Sequence, residues 1–187
     1  MQTKRIILAV SGASGMRYAM DLAQTLAPIA DAKTHLIISD AARTVMLHEG
    51  IDSEELISLA DTTHSQNDIA APPASGSWIH HGMVVCPCSM ATLAAIANGL
   101  GTNLMHRTAD TCLKEGRKLI LVPRETPLNT IHLENMLKAN RAGAIILPAC
   151  PGFYHKPETI SDLTSHLAGK ILDQLDIPHN LFKRWGE

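Results

Sequence analysis

Short apolar runs recur along the chain, each followed by a stretch whose apolar residues return every three or four positions. Arg5–Val10 is the first run, and behind it Met16–Leu26 places Tyr18, Leu22 and Leu26 on one stripe, the period of a helix. His35–Ile38 reads as a second strand. Ser39 then stands where an N-cap belongs, opening a helix with Ala42, Val45 and Met46 facing inward. A short helix is expected over Ser53–Leu59, with Asp52 and Glu55 at capping-box spacing. Met83–Cys86 reads as a third strand, Met90–Ala97 as a helix capped by Ser89, and Leu104–Glu115 as another helix. Lys118–Val122 is a fourth strand. Thr126 and Pro127 read as the N-cap and first position of a helix running to about Ala139. Ala144–Leu147 is a fifth strand, and Ser161–Leu175 a closing helix.

Between Asp61 and Gly82 the periodicity vanishes, and Pro72, Pro73, Gly76 and many polar residues take over. So long an irregular segment is expected to bind something or to cover a site. Elsewhere, unbroken apolar strands alternating with helices imply a parallel sheet covered on both faces, with right-handed connections. The expected fold is α/β: one domain over 1–187, a doubly wound parallel sheet in three layers.

Composition narrows the function. At 187 residues one core is the natural reading. Lys plus Arg is 16 against 18 for Asp plus Glu, a formal charge of −2. That balance excludes a nucleic-acid or anionic-membrane binder, which draws affinity from clustered cations. With two Trp, two Tyr and two Phe there is no base-stacking platform. No apolar run approaches the ~20 residues that span a bilayer, and Ile6–Val10 ends at Ser11-Gly12, too short for a leader's apolar region. A cytoplasmic protein is expected. Cys86, Cys88, Cys112 and Cys150 lack C-x-x-C spacing and read as buried, reduced thiols. A zinc site from Cys86, Cys88, His80 and His81 has the wrong spacing for the usual fingers, and no metal is expected.

Ligands of open parallel sheets bind beyond the carboxyl ends of the strands, so the loops there carry the chemistry. They are Ser11–Gly15, Ser39-Asp40, Pro87–Thr92, Pro123–Pro127 and Pro148–His155. Three of the five put small residues and hydroxyls at a helix N-terminus, where free N–H groups and the positive dipole end suit a phosphate. Ser-Gly-Ala-Ser-Gly matches neither G-x-G-x-x-G nor G-x-x-x-x-G-K-[ST], so a mononucleotide such as FMN fits better than a dinucleotide or nucleoside triphosphate. A second anion is suggested by Arg107 and Lys114, which share a helix face two turns apart, with Arg124, Glu125 and Tyr154. Pairing of Lys114 with Asp110, and of Glu125 with Arg124, are the structural alternatives. A carboxylate at a strand's carboxyl end is the natural acid or base. His48, His106, His132 and His155 are scattered and form no metal set.

Five loops in series carry a resemblance. Ser-Gly-Ala-Ser-Gly at 11–15, Ala-Pro-Pro-Ala-Ser-Gly-Ser at 71–77, Cys-Pro-Cys-Ser at 86–89, Pro-Arg-Glu-Thr-Pro at 123–127 and Pro-Gly-Phe-Tyr-His at 151–155 resemble the flavin prenyltransferases of the UbiX type, from about residue 5 to the Arg-Trp-Gly-Glu end. The resemblance implies a flavodoxin-like fold, a homododecamer, and transfer of a dimethylallyl group from dimethylallyl phosphate to N5 and C6 of reduced FMN. The product serves a UbiD-type decarboxylase. By motif, Gly12, Ala13, Ser14, Ser39, Ser89, Met90, Ala91, Thr92 and Arg124 are the implied FMN contacts. Tyr154 and Lys170 are the implied prenyl-phosphate contacts, with Arg107 and Lys114 close by, and Glu49 and Glu125 fall on acidic site positions. Many relatives carry Arg at the Lys170 position; Lys keeps the charge but not the bidentate fork, so phosphate against diphosphate stays open. Phosphate departure needs cations and a proton, supplied in this reading by Arg107, Lys114, Lys170, Tyr154 and Glu125. With so few aromatics, the flavin is the π-partner of the allylic carbon.

Two other functions remain open on sequence. One is an FMN-dependent decarboxylase acting on cysteine-derived carboxylates, whose members carry Pro-Ala-Ser-Ala-Asn-Thr where this chain has Pro-Cys-Ser-Met-Ala-Thr. The other is a non-catalytic flavin carrier, a class usually acidic and aromatic-rich.

Overall fold

Residues 3–184 and Gly186 are described by a computed structural model. Trp185 and Glu187, part of the Arg-Trp-Gly-Glu end, lie outside the described residues. Six strands form one parallel sheet: β1 (Lys4–Val10), β2 (Ala32–Ile38), β3 (Thr62–Ser65), β4 (Gly82–Cys88), β5 (Lys118–Pro123) and β6 (Ile145–Ile146). Seven helices connect and cover them: α1 (Met16–Leu26), α2 (Asp40–Glu49), α3 (Ser53–Ser58), α4 (Met90–Ala97), α5 (Leu104–Lys114), α6 (Thr130–Arg141) and α7 (Ile160–Gln174). The strand order is β3-β2-β1-β4-β5-β6, all parallel. Without the four-residue edge strand β3, the order is the 2-1-3-4-5 of flavodoxin-like folds. The direction of winding reverses between β1 and β4, which is where such sheets hold their ligands.

The alternation of the strands divides the core. Ile6, Leu8 and Val10 pack under α1, α2, α3 and α7, whereas Ile7 and Ala9 pack against α4, α5 and the start of the α6–β6 turn on the other face. Pairing of β4 with β5 shifts register between Val85 and Cys88. In consequence Cys86 joins the first core and Cys88 the second. Pointing to opposite faces, they cannot share a zinc ion, and among the described residues no three potential ligands converge. Cys86, Cys88 and Cys112 are buried, but Cys150 is exposed, contrary to expectation. Burial pushes the Cys88 and Cys112 thiols up to about 12. Among the described residues, no helix is long and apolar enough to cross a membrane.

Four sequence expectations need correction. The stretch 61–82 is not wholly irregular: Thr62–Ser65 adds an edge strand to β2. Asp61 anchors it, accepting from Lys33 Nζ (2.6 Å) and the Thr34 amide (2.8 Å). The rest of the segment meets the start of α5, where the Leu104 amide donates to the Gln66 carbonyl (2.8 Å), and then crosses the α5 face. Ala71 and Pro73 are buried, Thr111 Oγ1 donates to the Ala74 carbonyl, and Arg117 donates to the Gly76 and Trp78 carbonyls. Thr126 and Pro127 do not start α6. Asn129 caps it, accepting from the His132 amide, while His132 Nδ1 accepts from the Asn129 amide, a capping box that outweighs the earlier Thr-Pro. Before α3, the Asp52 side chain accepts from Glu54 and not Glu55, whose carboxylate meets Gln24. The fifth expected strand shrinks to Ile145–Ile146.

One buried group in this crossover gives the fold a pH dependence. His80 is 5% exposed, tilted against Trp78 with Nε2 3.7 Å from Cys112 Sγ. Burial, with Arg117 nearby, lowers its pKa from 6.5 to about 4. The unfolded chain therefore binds more protons between those values, and stability is full above pH 6.5 and lost as pH falls toward 4. The loss should reach about 3 kcal/mol. Melting temperature should fall across that window, and His80→Gln should flatten the slope; an unchanged slope would acquit His80.

Candidate active site

The β1–β4 switch point is stitched by Ser11. Its hydroxyl donates to the Pro87 carbonyl (2.9 Å) and accepts from the Ser89 amide (2.8 Å), fully buried. Sequence reading did not single out Ser11; the available signal was a hydroxyl closing an apolar strand. Gly12 comes next, where an added Cβ would sit 2.6 Å from Ala41 Cβ. Only a hydrogen there lets the first loop lie against the start of α2. Ala13 is buried beside it.

The carboxylate of Glu49, at the end of α2, accepts from the Gly15 and Met16 amides, both at 2.8 Å. Partial burial pushes its pKa up, but the Ser14 hydroxyl, the two amides and the Arg124 charge outweigh this and hold it below the ordinary value. Glu49 thus already occupies the N-terminus of α1, where a phosphate would otherwise bind. Of the three helix starts expected to face an anion, α2 and α4 remain. Ser39 caps α2 by accepting from the Ala42 amide (3.1 Å). Ser89 caps α4 by accepting from the Thr92 amide (3.2 Å), and donates to Thr92 Oγ1 (3.1 Å). Each cap leaves first-turn amides without intrahelical partners, at Asp40 and Ala41 on one helix and Met90 and Ala91 on the other.

Arg124 supplies the cation. It leaves β5 beyond β4, and its Nε reaches back to the Ser14 carbonyl (3.0 Å). Hydroxyls, two helix starts and a guanidinium at one sheet edge fit a phosphate monoester such as that of FMN. Tyr18, half-buried at the start of α1, faces the same region, and burial raises its pKa with Cys86 and Cys150 nearby. Glu125 is exposed and does not pair with Arg124. Its Oε1 accepts from the Thr126 amide (3.0 Å), leaving the other oxygen without a protein partner among the described residues.

Tyr154 and Lys170 are brought together, but elsewhere. They line a cavity of about 1210 Å³ between the 150–156 turn, α7 and the C-terminal tail, with His155, His166, Phe182 and Arg184. Tyr154 is 85% exposed. Lys170 Nζ lies 3.6 Å from the Asp173 carboxylate. His155, dismissed on sequence as scattered, is part of this wall, and His166 was missed altogether.

Arg107 and Lys114 do not join this group within one chain. Arg107 pairs with Asp110 (2.9 Å) and Lys114 with Glu115 (3.1 Å), so the expected alternative of a Lys114–Asp110 pair is not formed either. Lys114 stands by Gly76, near the amino edge of the sheet, where β5 begins. More decisively, α5 packs on one face of the sheet and α7 on the other. A sheet with a helix layer on each side separates them by about 20 Å.

A flavodoxin-like sheet with phosphate donors gathered at its switch point defines a mononucleotide-binding flavoprotein, and the Flavoprotein family profile matches residues 1–172. Over 183 residues the chain is 50% identical to the flavin prenyltransferase UbiX of Methanothermobacter thermautotrophicus, covering 97% of this chain and 95% of that one. The crystal structure of AnUbiX in complex with FMN and dimethylallyl pyrophosphate superposes with a TM-score of 0.95 at 43% identity, covering 100% and 99% of the two chains. A dodecameric FMN-dependent UbiX-like decarboxylase from Escherichia coli O157:H7 gives 0.94 at 43% identity, covering 98% and 100%. The chain belongs to the flavin prenyltransferases of the UbiX type, which sets aside both the cysteine-type decarboxylase and the flavin carrier.

Proposed function

We propose that this chain joins a dimethylallyl group, delivered as dimethylallyl phosphate, to N5 and C6 of reduced FMN. One observation supports the reading: donors and cations gather in two places, at the switch point and in the Tyr154–Lys170 cavity, which suits two phosphorylated reactants. The first comprises Gly12, Ala13, Ser14, Ser39, Ser89 to Thr92 and Arg124, and fits the FMN phosphate. The second is the Tyr154–Lys170 cavity, which fits the prenyl phosphate. Bound at the first, reduced flavin supplies the nucleophilic atoms and the electron-rich ring face that receive the allylic carbon.

The chain's own residues handle charge and protons. Lys170 and Tyr154, with Arg107 and Lys114, neutralise the departing phosphate oxygens as the carbon–oxygen bond breaks. Glu125, exposed at the carboxyl end of β5 with one oxygen unspent, passes a proton. Glu49 acts on position: by clamping Gly15 and Met16 it fixes the loop that Arg124 grips. Because α5 and α7 lie on opposite faces, Arg107 and Lys114 reach the Tyr154–Lys170 cavity only from a second copy. The dodecameric relative supports such an assembly for this chain. In this reading the protein is cytoplasmic, where Cys86, Cys88 and Cys112 stay thiols, and a UbiD-type decarboxylase takes the product.

The test is direct. Protein, reduced FMN and dimethylallyl phosphate are incubated anaerobically and the flavin is extracted and weighed. Flavin heavier by one dimethylallyl group is the expected result; unmodified FMN with intact protein overturns the reading.

A further inference from the structure

The wall of the Tyr154–Lys170 cavity contains a histidine that the reaction as described does not use. His166 lies on α7 one turn before Lys170, its ring held between two others. His155 stacks on one side, with centroids 4.9 Å apart and planes 6° from parallel, and Phe182 leans on the other at 4.9 Å. Below, α7 has glycine at 169, where any Cβ would collide with Phe182 and His179, so the tail lies flat against the helix and closes the cavity floor. The ring is thus fixed, yet Nδ1 is unspent, buried with no hydrogen-bond partner among the described residues.

The charged groups around it are lopsided. From the turn come His155 and Lys156, from α7 Lys170, and from the tail Lys183 and Arg184; among the described residues, those lining the cavity include no carboxylate. The nearest acids are committed elsewhere. Asp162 accepts from the Glu158 and Thr159 amides and the Thr159 hydroxyl. Asp173 is engaged by Lys170, His179 and Arg184. Asp21, beneath Thr164, is bound to that hydroxyl and to Arg17. His166 is therefore a fixed imidazole among cations, with no counter-ion of its own among the described residues.

We infer that His166 is a further anion-binding residue of the prenyl-phosphate cavity, taking up a proton as the phosphate ester arrives and making its binding pH-dependent. The inference rests on the reading of that cavity as the prenyl-phosphate site. In the free protein, burial lowers the His166 pKa, with the nearby His155 and Lys170 acting in the same direction. A phosphate reverses the balance by supplying the missing negative charge. Between the lowered free value and the raised bound value, binding absorbs a proton, so affinity declines as pH rises through the window.

Calorimetry of dimethylallyl phosphate binding to the assembled protein tests this at about pH 6 and about pH 8, in buffers of different ionisation heat. The ester's own titration is common to every variant, so differences between variants isolate the protein's part. Wild type should gain about tenfold more affinity on acidification than His166→Phe, which keeps the ring packing but cannot be protonated, and should show proton uptake that the variant lacks. His155→Phe should retain the uptake. Lys170→Met is the control: if it binds as tightly as wild type, the cavity reading itself falls. If Lys170→Met loses binding while His166→Phe keeps the wild-type pH profile, or if His155→Phe alone loses the uptake, the His166 inference falls and the cavity reading survives. Should His166→Phe fail to assemble, histidine-selective NMR of wild type decides. The His166 titration midpoint should move upward on adding the ester, and an unmoved midpoint overturns the inference.

Discussion

Glu125→Gln is expected to slow prenyl transfer by about 10²–10⁴-fold while leaving FMN affinity nearly unchanged. Glu125 leaves the carboxyl end of β5 beside the residue that grips the first loop, but the two do not pair: Arg124 Nε is spent on the Ser14 carbonyl. The one hydrogen bond Glu125 makes among the described residues, Oε1 with the amide of Thr126, is one that a Gln oxygen reproduces. The substitution therefore keeps shape and local hydrogen bonding, and removes only the ability to carry a proton. Were Glu125 a structural partner of Arg124, the FMN dissociation constant would rise and turnover of bound flavin would hold. Measuring both on the same variant separates the outcomes, and unchanged single-turnover rate removes Glu125 from the catalytic list.

Local chemistry was legible in the sequence, and tertiary assignment of that chemistry was not. The bounds of α1 follow from apolar period alone and those of α4 from apolar runs with the Ser89 cap, all short-range properties. Ser39 and Ser89 were readable as caps for the same reason. β3 was invisible because Thr62–Ser65 is a mostly exposed edge strand with no apolar face to alternate. Its existence depends on pairing with β2. Glu49 entered the candidate site only through the resemblance, as an acidic position of the family's site. Its engagement with amides 34 and 33 residues away is set by how α2 folds back, which no spacing encodes. His166 gave no signal, since one histidine on an amphipathic helix is ordinary until His155 is found stacked on it.

The placement of Arg107 and Lys114 shows the same limit and leads to the second large effect. Seven-residue spacing correctly put them on one helix, but it is silent about which side of the sheet that helix covers. With α5 and α7 on opposite faces, Lys114 and Lys170 act on one phosphate only if two copies of the chain meet. Lys114→Met and Lys170→Met should each lower the rate by about 10²-fold, the scale of losing one charge from a departing anion. Co-assembled in equal amounts, the two variants should recover activity. A site needs an intact α5 from one copy and an intact α7 from another, so random mixing restores about a quarter of the sites. A site contained in one chain predicts the opposite, because every chain in the mixture is defective and the blend stays as slow as its parts. Tagging the variants differently, purifying mixed assemblies and comparing their rate with the parents therefore distinguishes the two architectures. Mixed assemblies no faster than the parents would return the phosphate site to a single chain and remove Arg107 and Lys114 from it, since they cannot reach Lys170 through the sheet.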